Sequence, residues 1–282
     1  MDQLNVKAWE GRAEECHGGV SEILAAQLHA TLSDKGGKAP AQGDPLPPLW
    51  HWSAFPPTAT MAELGSDGHP PVGGFLPPVK LPRRMWAGGS LRFRAPIKVG
   101  EHLTRQSSIR SVTKKEGAGG PMVFVSVDHL IFGRAGLAIE ERQDIVYLNI
   151  PDEYKSPRKL PVPDHPVLHR VMPMTETLLF RYSAVTFNAH RIHYDLPYAT
   201  MVEHYPGLVV HGPLQAQLLC QAACHYRGRV PDHFDFRGVH PMFHGQTLDI
   251  MAIEADAGSL QLFTGQEGHQ GMQATALWQG TV

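Results

Sequence analysis

The chain has 282 residues, of which 42% are hydrophobic and 18% are charged. This composition is typical of globular proteins, and the length suffices for two domains of about 140 residues. A formal net charge of −2 excludes the overall basic field that drives nucleic-acid binding. No stretch has the roughly 18 apolar residues of a membrane span, and the first residues lack the apolar run of a signal peptide. We therefore expect a cytoplasmic protein without nucleic-acid or membrane partners.

The first half begins with a helix and reaches its strands after a long irregular region. "GGVSEILAAQLHATLSD" has Ser21 as an N-cap and leucines near helical spacing. Residues 36–82 are dense in Gly and Pro, which predicts loops. Four antiparallel strands are then predicted, in "SLRFRAPI", "EHLTRQSSIRSVTKK", "MVFVSVDHLIFG" and "AIEERQDIVYL".

A Pro-rich and basic stretch, "IPDEYKSPRKLPVPDHP", predicts a linker between two domains. We place the N-terminal domain at residues 1–150, the linker at 151–165 and the C-terminal domain at 166–282. In the second domain, "ETLLFRYSAVT" predicts a strand, and a short helical piece follows near "YDLPYATMVEHY". Pro213 then opens a helix that is poor in charge all round, which predicts a buried central helix. Strands return in "QTLDIMAIEA", "SLQLFTGQ" and "GMQATALWQG".

A short repeated pattern predicts that the two halves arose by duplication. The spacing P-x-x-x-G-x-x-L occurs twice, 145 residues apart, at Pro96, Gly100 and Leu103 and again at Pro241, Gly245 and Leu248. The order of predicted elements, a helix followed by several strands, is also common to both halves. Two similar halves would pack as an intramolecular pseudo-dimer.

The polar segment "FNAHRIHYD", residues 187–195, occurs in the second half and is the main candidate for chemistry. A metal site is one interpretation of His190, His193 and Asp195. A hydrolytic zinc helix, however, has two histidines at i and i+4 with a Glu between them, whereas these are three apart with Arg191 between them. We therefore expect no metal.

Acid–base catalysis suits the segment better, because a neutral imidazole takes and returns a proton near physiological pH once a neighbour fixes its tautomer. Asn188 is a candidate to hold a water or a substrate oxygen beside His193. The alternative is that His193 is a buried structural histidine bonded to backbone. Gly212, at the start of the apolar helix, would offer an N–H to an oxyanion, unless it is only a capping glycine. Together, these residues suit addition or proton abstraction next to a thioester carbonyl.

"FNAHRIHYDLPYA" followed by "VVHGPL" resembles the signature of the R-specific enoyl-CoA hydratases and hydroxyacyl-thioester dehydratases, the MaoC-like branch of the hot-dog fold. That pattern is roughly D-x-N-P-[IL]-H-x-D followed by A-H-G. The first half resembles the N-terminal dehydratase-like domain of two-domain members, through "LPPLWHW" and "GGFLPPVKLPRRMWAGG". The resemblance implies an α+β double hot dog, in which two central helices are each wrapped by an antiparallel sheet. It also implies a C-terminal catalytic half, an N-terminal half that shapes the substrate cleft, and a homodimer of double hot dogs.

By position, the resemblance makes His193 the catalytic histidine and Gly212 the oxyanion donor, while Asn188 stands where the family has a catalytic aspartate. Because an amide cannot act as a base, His193 would move the proton alone. The Asn-x-His-x-x-His form resembles the type 2 hydroxyacyl-thioester dehydratases and the bacterial mesaconyl-C4-CoA and itaconyl-CoA hydratases. The implied activity is that of a hydro-lyase, the reversible hydration of an enoyl-CoA, most simply a C5 dicarboxylic one, without metal or redox cofactor.

Substrate binding is assigned to His190, Arg191, Arg83, Arg84 and His211. A guanidinium suits the free carboxylate of a dicarboxylic acyl group, although Arg83 and Arg84 suit CoA phosphates equally well. Three alternatives remain open: a fatty-acid type 3-hydroxyacyl-thioester dehydratase, a thioesterase, and a hot-dog protein that binds acyl-CoA without catalysis.

Overall fold

The structure, a computed structural model, describes residues 6–33, 36–117, 119–255 and 258–280. The first residues of the chain, used above in the signal-peptide prediction, lie partly outside this range. The helices are α1 (Glu22–Leu32), α2 (Glu176–Thr186), α3 (Leu196–Met201) and α4 (Gly212–Arg227). The first five strands are β1 (Ala13–Gly18), β2 (Arg83–Phe93), β3 (Leu103–Gly117), β4 (Gly120–Gly133) and β5 (Gly136–Leu148). The other five are β6 (Leu168–Pro173), β7 (His233–Gly238), β8 (Thr247–Glu254), β9 (Ser259–Gln266) and β10 (His269–Leu277).

All ten strands form one antiparallel sheet in the order β1-β3-β4-β5-β2-β7-β10-β9-β8-β6. Each strand of the second half corresponds to the strand five places earlier in the chain, so that β6 corresponds to β1, β7 to β2, and so on to β10 and β5. With this correspondence, the second five strands follow the order of the first five in reverse. The halves meet where β2 pairs with β7, from Gly88 opposite Arg237 to Arg92 opposite His233. The domain boundaries proposed above stay a prediction.

The repeated P-x-x-x-G-x-x-L pattern marks equivalent places in the two halves. Gly100 and Gly245 both have positive φ angles, +77° and +80°, which glycine adopts without strain. The N–H of Gly100 donates to Val20 O (2.7 Å), and that of Gly245 donates to Met174 O (2.9 Å). Val20 and Met174 each precede the N-cap of an 11-residue helix. The two halves therefore repeat the same arrangement, as the pattern predicts, and α2 is the counterpart of α1; their origin by duplication stays a prediction.

The prediction of a strand in "ETLLFRYSAVT" is wrong, because these residues form α2. The Thr175 side chain caps the helix by accepting a hydrogen bond from the Leu178 N–H (3.2 Å). Leu178, Leu179, Tyr182 and Ser183 are buried, which is the i, i+1, i+4, i+5 pattern of one helix face. Thr, Phe, Tyr and Val favour strands only weakly, so this buried face and the cap determine the outcome. The six-residue strands β1, β6 and β7 were not predicted.

Helix α4 is buried nearly all round, as its composition predicts, and it packs against β8, β9 and β10 and against β2 of the first half. The first half has no long counterpart to it: between α1 and β2 the described chain is irregular apart from a 3-10 helix at Trp50–Ser53. This irregular chain touches α4, since Gln217 Nε2 donates to Leu49 O (3.0 Å). In the parts of the chain described, no helix is long and apolar enough to cross a membrane.

Candidate active site

The segment 187–195 is a tight connection between α2 and α3. Phe187 follows the last residue of α2 as its C-cap, and its left-handed conformation (φ 51°, ψ 37°) reverses the direction of the chain. The Asn188 N–H donates to Ser183 O (2.8 Å), and Asn188 Oδ1 accepts from the His190 N–H (3.0 Å). Asn188, predicted to orient water or substrate, thus also fixes the turn that places His190. A further one-turn 3-10 helix, Arg191–His193, then brings His193 into the interior.

His193 is 7% exposed, and its Nδ1 lies 2.7 Å from Val209 O. Because a carbonyl only accepts, this contact assigns the proton to Nδ1 and leaves Nε2 with a free lone pair. Burial, followed by the neighbouring His211 and His190, lowers the pKa of His193 well below its ordinary value. His193 is therefore neutral at physiological pH, with the tautomer that a general base at Nε2 requires.

His211 lies directly against His193, the two rings stacking with centroids 3.6 Å apart and an interplanar angle of 18°. His211 Nε2 is 2.8 Å from Ser183 Oγ, while Nδ1 has no hydrogen-bond partner among the residues described. Burial and then His190 lower the pKa of His211 to about 3. The His211 ring is thus neutral and stacked on the ring of His193, and its Nδ1 is available to hydrogen-bond a ligand or water.

Gly212 is the first residue of α4, and no group in the described chain accepts a hydrogen bond from its N–H. A Cβ added there would lie 3.7 Å from Trp86 O and 3.9 Å from Met272 Cε. Trp86 precedes a bulge in β2, where the register with β5 shifts between Trp86 and Gly88. Gly212 thus lies at a helix N-terminus close to both halves, and its unpaired N–H is of the kind that binds an anionic oxygen.

Two of the predicted binding arginines are tied to the protein's own carboxylates. Arg83, 6% exposed, donates from Nε to Glu203 Oε2 (2.7 Å) and from a terminal nitrogen to Glu203 O (2.6 Å). Arg191 donates from Nε and from a terminal nitrogen to Asp195 Oδ2 (2.9 and 2.7 Å) and to Ser66 O (2.9 Å). Substrate binding by either residue stays a prediction, but each would first have to leave these partners.

Sequence reasoning missed three residues around His190. Glu203, 1% exposed, has Oε1 3.5 Å from His190 Nε2. The His69 ring packs on that of His190 with centroids 4.2 Å apart, and His69 Nδ1 is 2.9 Å from Asp67 Oδ2. Although burial alone would raise it, the hydrogen bond from His69 holds the pKa of Asp67 well below its usual range.

Asp67 and His69 come from the irregular chain of the first half. The Arg191 N–H donates to Asp67 O (3.0 Å), which docks residues 65–69 on the segment 187–195. The Asp-Gly-His sequence following a Gly-Ser pair signalled a turn but gave no sign of this long-range contact. The four histidines His69, His190, His193 and His211, here called the histidine cluster, therefore draw on both halves of the chain.

Asp67, His69 and His190 present ligand-type atoms within 4.8 Å of one another, an arrangement compatible with a metal ion. The Asp67–His69 pair is already hydrogen-bonded, and the positive charge of Arg84 acts on His69. These features disfavour a dication, and the expected lack of a metal stays a prediction.

The family model for hydroxyacyl-thioester dehydratase type 2 matches residues 49–244 of the chain. The chain belongs to the hydroxyacyl-thioester dehydratase type 2 family. It is 46% identical over 245 residues to the mesaconyl-C(4)-CoA hydratase of Chloroflexus aurantiacus, covering 86% of this chain and 87% of the relative. It is also 29% identical to the mitochondrial hydroxyacyl-thioester dehydratase type 2 of Schizosaccharomyces pombe, covering 87% and 91% of the two chains.

The solved structures that resemble this chain confirm the predicted fold. A MaoC-like dehydratase superposes with a TM-score of 0.71 at 13% identity, covering 96% of this chain and 99% of the other. HtdX of Mycobacterium tuberculosis superposes with a TM-score of 0.66 at 18% identity, covering 95% and 100%. A further neighbour from Mycobacterium tuberculosis is described as a double hot-dog fold. The predicted α+β double hot dog and the predicted family are both confirmed.

Proposed function

We propose that the protein reversibly adds water across the α,β double bond of an enoyl-CoA whose acyl group is a C5 dicarboxylic one. The observation that carries the proposal is His193, a buried neutral histidine held by Val209 O with Nε2 free, in the same site as the unpaired Gly212 N–H. The mesaconyl-C(4)-CoA hydratase relative supports the choice of acyl group. Itaconyl-CoA is the other candidate, although its double bond lies between Cβ and Cγ and would first have to move to the α,β position.

In the proposed reaction, His193 Nε2 removes a proton from water as the water oxygen forms a bond to Cβ. The π electrons move toward the thioester oxygen, which becomes an enolate held by the Gly212 N–H. The proton held on His193 Nε2 then passes to Cα and regenerates the neutral imidazole, so that one O–H bond of water and the C=C π bond are broken and new C–O and C–H bonds are formed. Burial makes the transient imidazolium costly, and the hydrogen bond to Val209 O offsets part of this cost. The amide of Asn188 orients the water, and the reaction needs no cofactor.

Purified protein incubated with mesaconyl-C4- and crotonyl-CoA tests the proposal, and itaconyl-CoA, whose double bond is not conjugated with the thioester, is followed through its hydrated product. Loss of the conjugated enoyl absorbance without release of free thiol supports hydration, thiol release would instead support a thioesterase, and neither signal would support acyl-CoA binding without catalysis. His193→Ala should lower kcat by about 10²- to 10⁴-fold. His225→Ala, at the exposed end of α4, is the matched control. Activity of His193→Ala within tenfold of wild type would exclude the base role.

A 3-hydroxyacyl-thioester dehydratase of the fatty-acid type is the second candidate. It is favoured by the two yeast relatives of that name, of which the one from Saccharomyces cerevisiae is 23% identical. A higher kcat/KM with longer unbranched 2-enoyl thioesters than with mesaconyl-C4-CoA would select it. Assembly into a homodimer of double hot dogs and a cytoplasmic location remain part of the proposal.

A further inference from the structure

One histidine of the site has a ring nitrogen that no group of the described chain engages. His211 is fully buried, and its Nε2 lies 2.8 Å from Ser183 Oγ. Its Nδ1 is also buried but has no hydrogen-bond partner among the residues described. An unpaired polar atom in a protein interior is rare enough to require an explanation, and contact with a ligand is one. Because that ligand would be the enoyl thioester, the inference rests on the proposed function.

The contact with Ser183 indicates which nitrogen of His211 carries the proton. The lowered pKa of His211 keeps its ring neutral, with one N–H and one lone pair. Ser183 is buried as well, and its hydroxyl has no other hydrogen-bond partner in the described chain. If Nε2–H donated to Ser183 Oγ, two groups would stay unpaired, the hydroxyl proton and the Nδ1 lone pair. If Ser183 Oγ–H donates to Nε2, only the Nδ1–H stays unpaired, so the proton is assigned to Nδ1.

This Nδ1–H lies close to both the proposed base and the proposed oxyanion donor. The His211 ring stacks on that of His193, with centroids 3.6 Å apart. Gly212 is the next residue, and its N–H has no acceptor in the part of the chain described. Standard bond lengths keep Nδ1 of a histidine within about 6 Å of the backbone nitrogen that follows it. Since a hydrogen bond spans about 2.9 Å between heavy atoms, this distance permits one oxygen to accept from both N–H groups.

We propose that the Nδ1–H of His211 is a second donor to the thioester oxygen, beside the Gly212 N–H, and that Ser183 is the positioning residue that holds His211 in the required tautomer. Negative charge develops on this oxygen when water adds to Cβ, and donors already in place stabilise that charge more than the neutral carbonyl. Because Nδ1 carries the proton, His211 does not compete with His193 for the proton of water. Val209 O and Ser183 Oγ–H thus fix two stacked imidazoles for opposite tasks, a lone pair on His193 and an N–H on His211.

The tautomer of His211 can be measured without substrate. In protein with isotopically labelled histidine nitrogens, nuclear magnetic resonance distinguishes a protonated ring nitrogen from one with a lone pair. The signals that disappear in His211→Asn belong to His211. We expect the proton on Nδ1 in the wild type and a mixture of both tautomers in Ser183→Ala. A proton on Nε2 in the wild type would overturn the proposal, and an unchanged tautomer in Ser183→Ala would overturn the role of Ser183.

A matched pair of variants tests the donor. Asn and Leu have side chains of similar branched shape, but only Asn has an N–H near the place of Nδ1. His211→Leu should lower kcat about 100-fold with little change in KM, whereas His211→Asn should lower kcat about tenfold or less. Each loss should agree within about threefold for mesaconyl-C4-CoA and crotonyl-CoA, because both substrates have the thioester oxygen. His225→Leu, at the exposed end of α4, is the control and should change neither kcat nor KM.

Equal kcat values for His211→Leu and His211→Asn would overturn the proposal, since the donor would then make no difference. A loss with mesaconyl-C4-CoA alone would overturn it too, because the Nδ1–H would then bind the free carboxylate. If the wild-type protein hydrated neither substrate, the proposed function would fail and the role of His211 with it. Wild-type hydration with equal variants would leave the proposed function intact. Should His211→Leu not fold, His211→Phe, which keeps a flat ring against His193 without a donor, replaces it in the comparison.

Discussion

The buried ion pair between Arg83 and Glu203 should determine much of the stability of the site. It joins the start of β2 in the first half to the chain after α3 in the second, and both side chains are almost completely buried, at 7% and 1% exposure. Burial alone would raise the pKa of Glu203, but His190 and Arg83 together hold it below its ordinary value. Because its pKa is lowered on folding, the carboxylate stabilises the fold at neutral pH, and that stabilisation is lost as the pH falls through the folded-state pKa.

Glu203→Gln leaves Arg83 buried without a counter-charge. Removing one partner of a buried pair typically costs about 3–5 kcal/mol of unfolding free energy, which corresponds to a Tm lower by roughly 6–20 °C for a chain of this size. Arg83→Met should cost a similar amount for the converse reason. The double variant Arg83→Met/Glu203→Met removes both charges together and should recover most of the loss, because two apolar side chains of similar volume replace the pair.

Thermal unfolding of the wild type, both single variants and the double variant at pH 7 completes a double-mutant cycle. Repeats at falling pH should show the gap between wild type and Glu203→Gln narrowing once the pH passes below the ordinary glutamate pKa of 4.5 toward the lowered folded-state pKa, where Glu203 takes up a proton. A Tm for Glu203→Gln within 2 °C of wild type, or a double variant that loses as much as the two single variants combined, would refute this account of the pair.

Four further predictions concern the site. Gly68→Ala should weaken the docking of residues 65–69, since Gly68 has φ +87° and an added Cβ would collide with Ala189 O. We expect a lower activity with little change in Tm, and a lower Tm with unchanged activity would contradict a local effect on the site. Gly212→Pro removes the N–H but also adds ring carbons, and His211, at ψ 132°, already has the backbone conformation that precedes proline; kcat should fall about 10²- to 10³-fold relative to Gly212→Ala, which adds a Cβ and keeps the N–H, and equal kcat values for the two variants would exclude the oxyanion role. The acid limb of kcat/KM should lie below pH 6.5, since the lowered pKa keeps His193 deprotonated to lower pH; a limb at or above pH 6.5 would assign it to another group. Incubation with EDTA followed by gel filtration should leave activity within twofold, whereas a loss restored by a divalent cation would establish a metal requirement, with Asp67, His69 and His190 as the candidate ligands.

The fold was predictable where a strong local pattern coincided with the tertiary structure. The alternation in β3 to β5 and the charge-poor sequence of α4 identify these elements correctly. The sequence contained a signal that α2 is a helix. "SEIL" at the start of α1 and "TETL" at the start of α2 both have a capping residue followed by Glu. Short strands such as β1 and β6 have too few residues to show alternation, and pairing with β3 and β8 determines them.

The candidate site was predictable only in its local part. His193, Asn188 and Gly212 stand in two short motifs with a chemical rationale, and the ring of His211, the residue before Gly212, stacks on that of His193. Asp67 and His69 could not be found, because their irregular segment has no periodicity and meets residue 190 across more than 120 positions of chain. The pairing of Arg83 with Glu203 could not be predicted either, because it is a contact between the two halves. Arg83, predicted to bind substrate, instead forms an internal ion pair.

The asymmetry between the halves explains why both are needed in one chain. The first half lacks a long helix equivalent to α4, and its irregular segment instead reaches into the second half, where Leu49 O accepts from Gln217 and Asp67 O accepts from Arg191. Without the first half, β7 would become an open sheet edge and α4 would lose the β2 side of its packing. Since the β2 bulge beside Gly212 and the wall around His190 would also be lost, the second half contains the predicted base but not a complete site. The first half therefore completes the surroundings of His190 through Asp67 and His69, which the second half alone would lack.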